Sequence, residues 1–388
     1  MNILKLLLLP FAFIYGFITS FRNFFYNVGI FKSYAFDIPI ISIGNLCMGG
    51  TGKTPHCEFL IQNLYKQYNL VYLSRGYRRK SRGLQIIKID DNSQKAGDEP
   101  LQIKRKFPHI VVAVSRNRVK GIQEILNNFP QTQIIILDDA FQHRSVRPAI
   151  NILLSNFFHL YTKDNLFPIG SLRESRRGYK RADLIIVTKT AKIFPMMLKN
   201  IVEHEIKPLP YQKLFFTYYK YSNFLPAISN NIYKKNPKTS RILLFTGIAD
   251  ANPLVDHLKL NNYRVEHISF PDHHIYSKND IIRIIKTFEN MIGTNKIILT
   301  TEKDLMRIRG NQEIEGILNQ YPLYYILINV KFHFDTVAGL GTFVEVEAID
   351  KEGTIGREKL QAQCDEYAAM FNIEAADFCA LSYSDMIM

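Results

Sequence analysis

The residues best suited to chemistry are Lys53 and Thr54, which close the glycine-rich turn Gly49-Gly50-Thr51-Gly52 just ahead of an apolar-periodic segment. A β-branched run, Ile40, Ile41 and Ile43, leads into that turn. Strand, glycine turn and helix start together describe a phosphate-binding loop. Glycines let backbone N–H groups point at phosphate oxygens, the lysine reaches the outer phosphates, and the threonine hydroxyl holds Mg²⁺. The strict spacing wants a glycine where Cys47 stands, so Gly49, Gly50 and Gly52 have to make the turn. A second acid-bearing element follows, in which the apolar run Ile134 to Leu137 delivers Asp138 and Asp139. Carboxylates at the end of a buried strand can hold Mg²⁺ or its water. Strands also end in aspartate for turn chemistry, so this pair gains its weight from the phosphate loop.

Other reactive residue types stand at the ends of predicted elements. Asp98 and Glu99 open a helix after Gly97, where carboxylates also stabilise the helix dipole. The basic run around Gly76 and Tyr77, from Arg75 to Lys80, follows a strand and suits either a solvated loop or a phosphorylated ligand. A charged loop carries Arg173 and Glu174, with Arg176, Arg177, Lys180 and Arg181 close behind. Asp272 precedes the adjacent His273 and His274. Neighbouring positions of a strand face opposite ways, which argues against a shared metal, and Asp272 could orient one imidazole.

The elements that must position these groups alternate. Apolar runs at Leu70 to Leu73, Ile110 to Val114, Ile150 to Leu154 and Leu184 to Val187 are separated by helical patterns, as a doubly wound parallel sheet requires. After a Tyr-, Asn-, Lys- and Pro-rich stretch from about Lys207, a second strand and helix series begins at Arg241. At 388 residues and 47% hydrophobic content the chain has room for two globular domains. The net charge of +14 favours an anionic partner, with nucleic acid, an acidic bilayer and a phosphorylated substrate all open. Four scattered cysteines without a CxxC pair argue against a disulfide framework or a zinc site and suit a reducing compartment. The run from Ile3 to Thr19, followed by Phe21, Phe24, Phe25, Tyr26 and Phe31, is short for a bilayer span and is interrupted by Pro10. It reads as an interfacial anchor, with Lys5, Arg22 and Lys32 placed for anionic headgroups.

Nine motifs in one order resemble the tetraacyldisaccharide 4'-kinase family, the lipid A 4'-kinases. They are Gly44 to Pro55, Ser74 to Lys80, Gly97 to Pro100, Ser115 to Gly121, Asp138 to Arg144, Pro168 to Ser175, Phe245 to Asp250, Phe270 to Tyr276 and Thr300 to Asp304. Two departures, Ala140 for glycine and Ser175 for proline, remove no functional side chain. The resemblance implies an α/β fold: an N-terminal membrane-associated helix (1–33), a P-loop NTPase-like parallel sheet domain (34–206), a hinge or β-ribbon (207–240) and a smaller second α/β domain (241–330). It implies transfer of the ATP γ-phosphoryl to an acylated disaccharide 1-phosphate at the membrane surface, on the cytoplasmic face of the bacterial inner membrane, with no nucleic acid and no obligate protein partner. ATP and Mg²⁺ are the cofactors it implies. Gly49, Gly50, Thr51, Gly52, Lys53 and Thr54 would hold the nucleotide, and Thr54 with Asp138 or Asp139 the metal. Asp98 would be the base, paired with His273 and backed by Asp272. Arg75, Tyr77, Glu99, Arg118, Gln142, His143, Arg173 and Glu174 would line the substrate. From Lys331 the tail resembles the C-terminal part of a CYTH domain, with Glu345 and Glu347 alternating, although that module's opening strand is missing. Two competing readings are a P-loop GTPase or metallochaperone, for which Thr188-Lys189-Thr190-Ala191 lacks the base-reading aspartate, and a non-enzymatic membrane-surface scaffold.

Overall fold

The computed structural model describes residues 7–76, 83–92, 96–227, 241–309, 311–333, 335–337 and 341–343. The chain divides into two units, one ending at Phe332 and the other beginning at His333. Tyr77, Glu345 and Glu347 lie outside the described residues, and with them two of the expectations above.

The first unit opens with helix α1 (Leu9–Asn27), and Pro10 sits in its first turn, where a missing N–H costs no helical bond. No described helix is long and apolar enough to cross a membrane. Next comes a nine-stranded sheet of β1 (Ile40–Asn45), β2 (Leu70–Ser74), β3 (Gln85–Ile86), β4 (Val111–Val114), β5 (Ile134–Asp138), β6 (Ile150–Asn156), β7 (Leu184–Thr188), β8 (Lys213–Tyr221) and β14 (Ile328–Phe332). Its order is β14-β8-β7-β6-β1-β5-β2-β4-β3. The seven inner strands run parallel and only the edge strands β14 and β3 are antiparallel. Strands β1, β2 and β5 are buried along their whole length, which is why they read in sequence as largely apolar runs without an alternating polar face. Helices α2 (Lys53–Leu64), α3 (Asp98–Lys106), α4 (Arg118–Asn128) and α5 (Met196–Ile206) belong to the same series.

The second series forms a smaller sheet of order β11-β10-β12-β13-β9. Its strands are β9 (Leu225–Pro226), β10 (Arg241–Thr246), β11 (Arg264–Ser269), β12 (Lys296–Thr301) and β13 (Leu323–Ile326). The accompanying helices are α6 (Asn252–Leu260), α7 (Lys278–Asn290), α8 (Glu302–Ile308) and α9 (Gln312–Leu318). Ser277 and Asp280 form a reciprocal capping box at the start of α7, so that helix is fixed by its own sequence. The chain leaves the large sheet by β8 and returns by β14, its antiparallel neighbour. Lys331 and Phe332, which in sequence open the tail, are therefore the last residues of β14. His273 and His274 lie in a turn after β11, not on a strand, and Phe270 stacks on His274 at 4.7 Å. In the second unit, β15 (Asp335–Val337) pairs antiparallel with β16 (Gly341–Phe343).

Candidate active site

At the carboxyl edge of β1 the chain makes its glycine turn. Gly52 caps α2 at φ +86°, a left-handed conformation in which a side chain is strained, and a Cβ there would collide with the Tyr219 hydroxyl. Gly44 is fixed differently: Phe141 packs so close that a Cβ would lie 2.6 Å from its own Cβ. The loop is tied from below, as Asn45 Nδ2 donates to Thr51 Oγ1 at 2.9 Å and Thr188 Oγ1 donates to the Thr51 carbonyl at 2.9 Å. His56, buried on α2, contacts the Gly52 carbonyl through Nδ1 at 2.7 Å and Thr217 Oγ1 through Nε2 at 3.0 Å. Burial brings its pKa down to about 4, so it serves as a neutral bracket.

Lys53 reaches Asp139 at 3.4 Å, and Arg173 donates to the same carboxylate oxygen at 2.8 Å. Burial alone would raise the pKa of Asp139; the two cations more than offset it and bring it to about 2. Asp138 is different. Burial pushes its pKa up, its Oδ2 accepts from Tyr72 at 2.6 Å, and its Oδ1 is buried without a hydrogen-bond partner among the described residues. An orphaned carboxylate oxygen at the end of β5, close enough to Lys53 to feel its charge, fits a divalent cation, which would supply further countercharge. Mg²⁺ is usually held by one or two carboxylates plus substrate phosphates, and no cluster of three acidic, His or Cys ligands is found among the described residues.

The helix start that carries Asp98 faces the second sheet. His273 Nδ1 lies 3.3 Å from Asp98 Oδ2, and Arg307 Nε on α8 donates to that oxygen at 2.8 Å. Arg307 also donates to the Gly247 carbonyl at 2.6 Å and to Asp304 at 2.8 Å, with Nη2 lying 3.4 Å from His273 Nδ1. Burial raises the pKa of Asp98, but His273 and Arg307 outweigh it and hold it below the ordinary carboxylate value. His273 is held at φ +59°, its N–H donating to the Gly247 carbonyl at 3.1 Å and to Asp272 Oδ1 at 2.9 Å. Asp272 Oδ2 stands 3.7 Å from His273 Nε2, within reach for charge but not for a hydrogen bond. Glu99 pairs with Lys303 at 2.9 Å, and Gln102 joins Glu58 on α2 to Glu302 on α8. Elements of both sheet series thus meet in one polar cluster.

The remaining candidates gather at the carboxyl edges of β5 and β6. Glu174, almost fully buried, accepts from Gln142 at 3.0 Å, Arg181 at 2.8 Å and Asn23 of α1 at 2.6 Å. His143 is brought to about 4 by burial and by the nearby Arg118 and Arg75 charges, and so is neutral. Arg118 itself is 1% exposed and spends its guanidinium on the Ser115 and Asp138 carbonyls, where burial lowers its pKa to about 10. Its place is beneath the site as a strut.

Several contacts escaped sequence reasoning. Arg307 and Tyr72 have no local motif that marks them, and Lys189, read only within an incomplete base-reading motif, pairs with Asp250 at 3.4 Å. Tyr15 and Asn23 bind the Arg173 carbonyl and Glu174 from an otherwise apolar helix, and Arg22, expected at the headgroups, instead turns inward to donate to the Gln142 carbonyl. Their signal was available: Tyr15, Thr19, Arg22 and Tyr26 recur at helical spacing as one polar stripe.

The family model for tetraacyldisaccharide-1-P 4'-kinase matches residues 4–344. The tetraacyldisaccharide 4'-kinase of Phocaeicola vulgatus is 42% identical over 330 residues, covering 84% of this chain and 90% of that protein. That of Flavobacterium johnsoniae is 41% identical, covering 86% and 96%. The crystal structure of LpxK from Aquifex aeolicus in complex with ATP superposes with a TM-score of 0.65 at 30% identity, covering 85% of this chain and 96% of that one.

Proposed function

Since this chain belongs to the tetraacyldisaccharide 4'-kinase family and is an ATP-dependent kinase of lipid A biosynthesis, we propose which of its side chains carry the transfer and where it works. The observation that carries the proposal is the meeting of Asp98 and His273, from two different sheets, in a chain whose large sheet also bears the phosphate loop.

ATP lies with its phosphates along the amides of Gly49 to Thr54. Lys53 leaves Asp139 for the γ-phosphate when nucleotide arrives, and Arg173 keeps the Asp139 carboxylate compensated. Thr54 and Asp138, with Asp139 nearby, would hold Mg²⁺, which when bound would neutralise phosphate charge. The 4'-hydroxyl oxygen of the disaccharide bonds to the γ-phosphorus as the bond to the β,γ-bridging oxygen breaks, and ADP leaves. Transfer of this kind has a loose transition state, so positioning and charge neutralisation dominate. The hydroxyl proton passes to Asp98, which stays ionised at neutral pH because His273 and Arg307 hold its pKa down. His273 receives or relays that proton and is oriented by Asp272. Arg75, Glu99, Gln142, His143, Arg173 and Glu174 surround the sugar and its 1-phosphate, while Arg118 supports them from below; Tyr77 is assigned to the substrate by the family resemblance alone.

The membrane reading rests on α1. Its inner stripe is bound to the site, whereas Phe13 is 78% exposed, with Phe11, Phe17, Ile18, Phe21 and Phe24 also bare. Such a helix lies in the interface of a bilayer and delivers a lipid substrate to the residues it touches, here on the cytoplasmic face of the inner membrane. The test is direct: full-length protein, labelled ATP, Mg²⁺ and the tetraacyl disaccharide 1-phosphate in detergent. A labelled bis-phosphorylated lipid is expected, and ATP hydrolysis without lipid labelling would refute the mechanism.

A further inference from the structure

A second apolar surface lies at the same edge of the sheet. Phe158 follows β6, and Ile193, Met196 and Met197 lie between β7 and the first turn of α5. Strands β6 and β7 are adjacent and parallel, so all four leave the sheet at its carboxyl edge. That is also where the loop after β5 binds α1, through the Gln142 carbonyl and Arg144. These side chains are bare: Ile193 is 84% exposed, Met197 73% and Phe158 62%, and Ile201, one turn beyond Met197, extends the stripe.

The patch has a firm base. Phe157 meets Phe158 at 5.3 Å and the buried Phe194 at 5.2 Å, both edge-on, and it shares a packed cluster with Phe194 and Leu166. Leu166 lies against Gly16 of α1, and the Phe167 ring is 5.8 Å from Tyr15. Apolar packing is therefore continuous from α1 to α5. Exposed Lys192 adjoins Ile193 and exposed Lys163 lies in the loop that begins at Phe158, while the acidic Glu203 and Glu205 sit at the far end of α5. Clustered bare apolar side chains rimmed by cations on a net-basic chain match an anionic lipid surface.

We propose that Phe158, Ile193, Met197 and Ile201 form a second bilayer-contact surface that works with α1. A single interfacial helix sets depth but leaves the molecule free to roll about the helix axis. A second contact at the same edge removes that freedom and holds the substrate mouth to the headgroups. The inference rests on the reading of α1 as a membrane contact.

The chain contains no Trp, so a single introduced indole reports its own surroundings. Met197→Trp tests the new surface, Phe13→Trp tests α1, and Ile292→Trp, exposed beside the second sheet, is the reference. With vesicles of phosphatidylethanolamine and phosphatidylglycerol carrying dibrominated acyl chains, quenching and a blue shift are expected at positions 197 and 13, with neither at 292. Quenching at position 13 alone would overturn the second surface and leave the α1 reading intact; quenching at neither would overturn both. A blue shift at position 197 that grows with protein concentration without lipid would assign the patch to a second copy of the chain and overturn the proposal. Met197→Glu with Ile201→Glu should lower vesicle partitioning by about tenfold or more, because two side chains lose their apolar burial. Activity on detergent-dispersed substrate should be unchanged, and undiminished partitioning would also overturn the proposal.

Discussion

Replacing Arg307 with glutamine probes how the two sheets make one active site. The Arg307 side chain is 3% exposed and bridges Asp98, Asp304 and the Gly247 carbonyl, with Asp304 itself fully buried. Removing one partner of a buried charge cluster typically costs about 3–5 kcal/mol, so urea unfolding should show a loss of that order. Activity should change in a way that a loss of stability alone does not produce. Burial raises the pKa of Asp98, and in the native chain His273 and Arg307 more than offset it. Without Arg307 the pKa must rise. A base works only when ionised, so the acid limb of kcat/KM should move to higher pH in the variant. Linkage has the matching sign: the depressed pKa of Asp98 contributes stability above its unfolded value of about 3.9, lost as pH falls through the folded value. Arg307→Lys restores the charge but not the planar fork, so its limb should lie between the two. The assay is the initial rate of lipid phosphorylation across the acid and neutral range. An Arg307→Gln enzyme with the native limb and native kcat would refute the positioning of Asp98 by Arg307.

Other substitutions test the phosphate loop and α1. Lys53→Ala should cost at least about 10³-fold in kcat, the scale for removing a charge stabiliser of the transition state, as measured by single-turnover transfer. Gly52→Ala forces a Cβ into a left-handed position and against Tyr219, a strain of about 1–3 kcal/mol that should appear chiefly as a raised KM for ATP. Asn23→Ala takes one donor from the buried Glu174 carboxylate, which keeps Gln142 and Arg181. A loss of about 1–3 kcal/mol is expected, raising KM for the lipid while that for ATP stays constant.

The centre of the large sheet was legible because its strands are almost wholly buried, and Ile134 to Leu137 or Leu184 to Val187 can be little else; β8, mostly half-buried, lies in the stretch expected as a hinge or β-ribbon and was not legible as part of this sheet. The phosphate loop was legible for the same kind of reason: a left-handed cap at Gly52 leaves a glycine in the sequence. The partners of Asp98 were not, since His273 and Arg307 lie 175 and 209 residues away and no periodicity links them. Resemblance, not spacing, brought Asp98 and His273 together. Arg118 differs again: the resemblance placed it against the substrate, yet burial turns it into a bracket for two carbonyls. The polar residues of α1 were written in the chain at helical spacing but were masked by the aromatic residues around them.

The central claim is that Asp98 and His273 act as one catalytic unit assembled from two sheets, and a double-mutant cycle on kcat tests it most directly. Asp98→Ala is expected to lower kcat by about 10²–10⁴-fold with little change in KM for ATP, and His273→Ala by less. The double variant should be hardly worse than Asp98→Ala alone, because an imidazole has nothing to tune once the carboxylate is gone. Losses that multiply in full would mean that the two residues act separately, which contradicts the dyad.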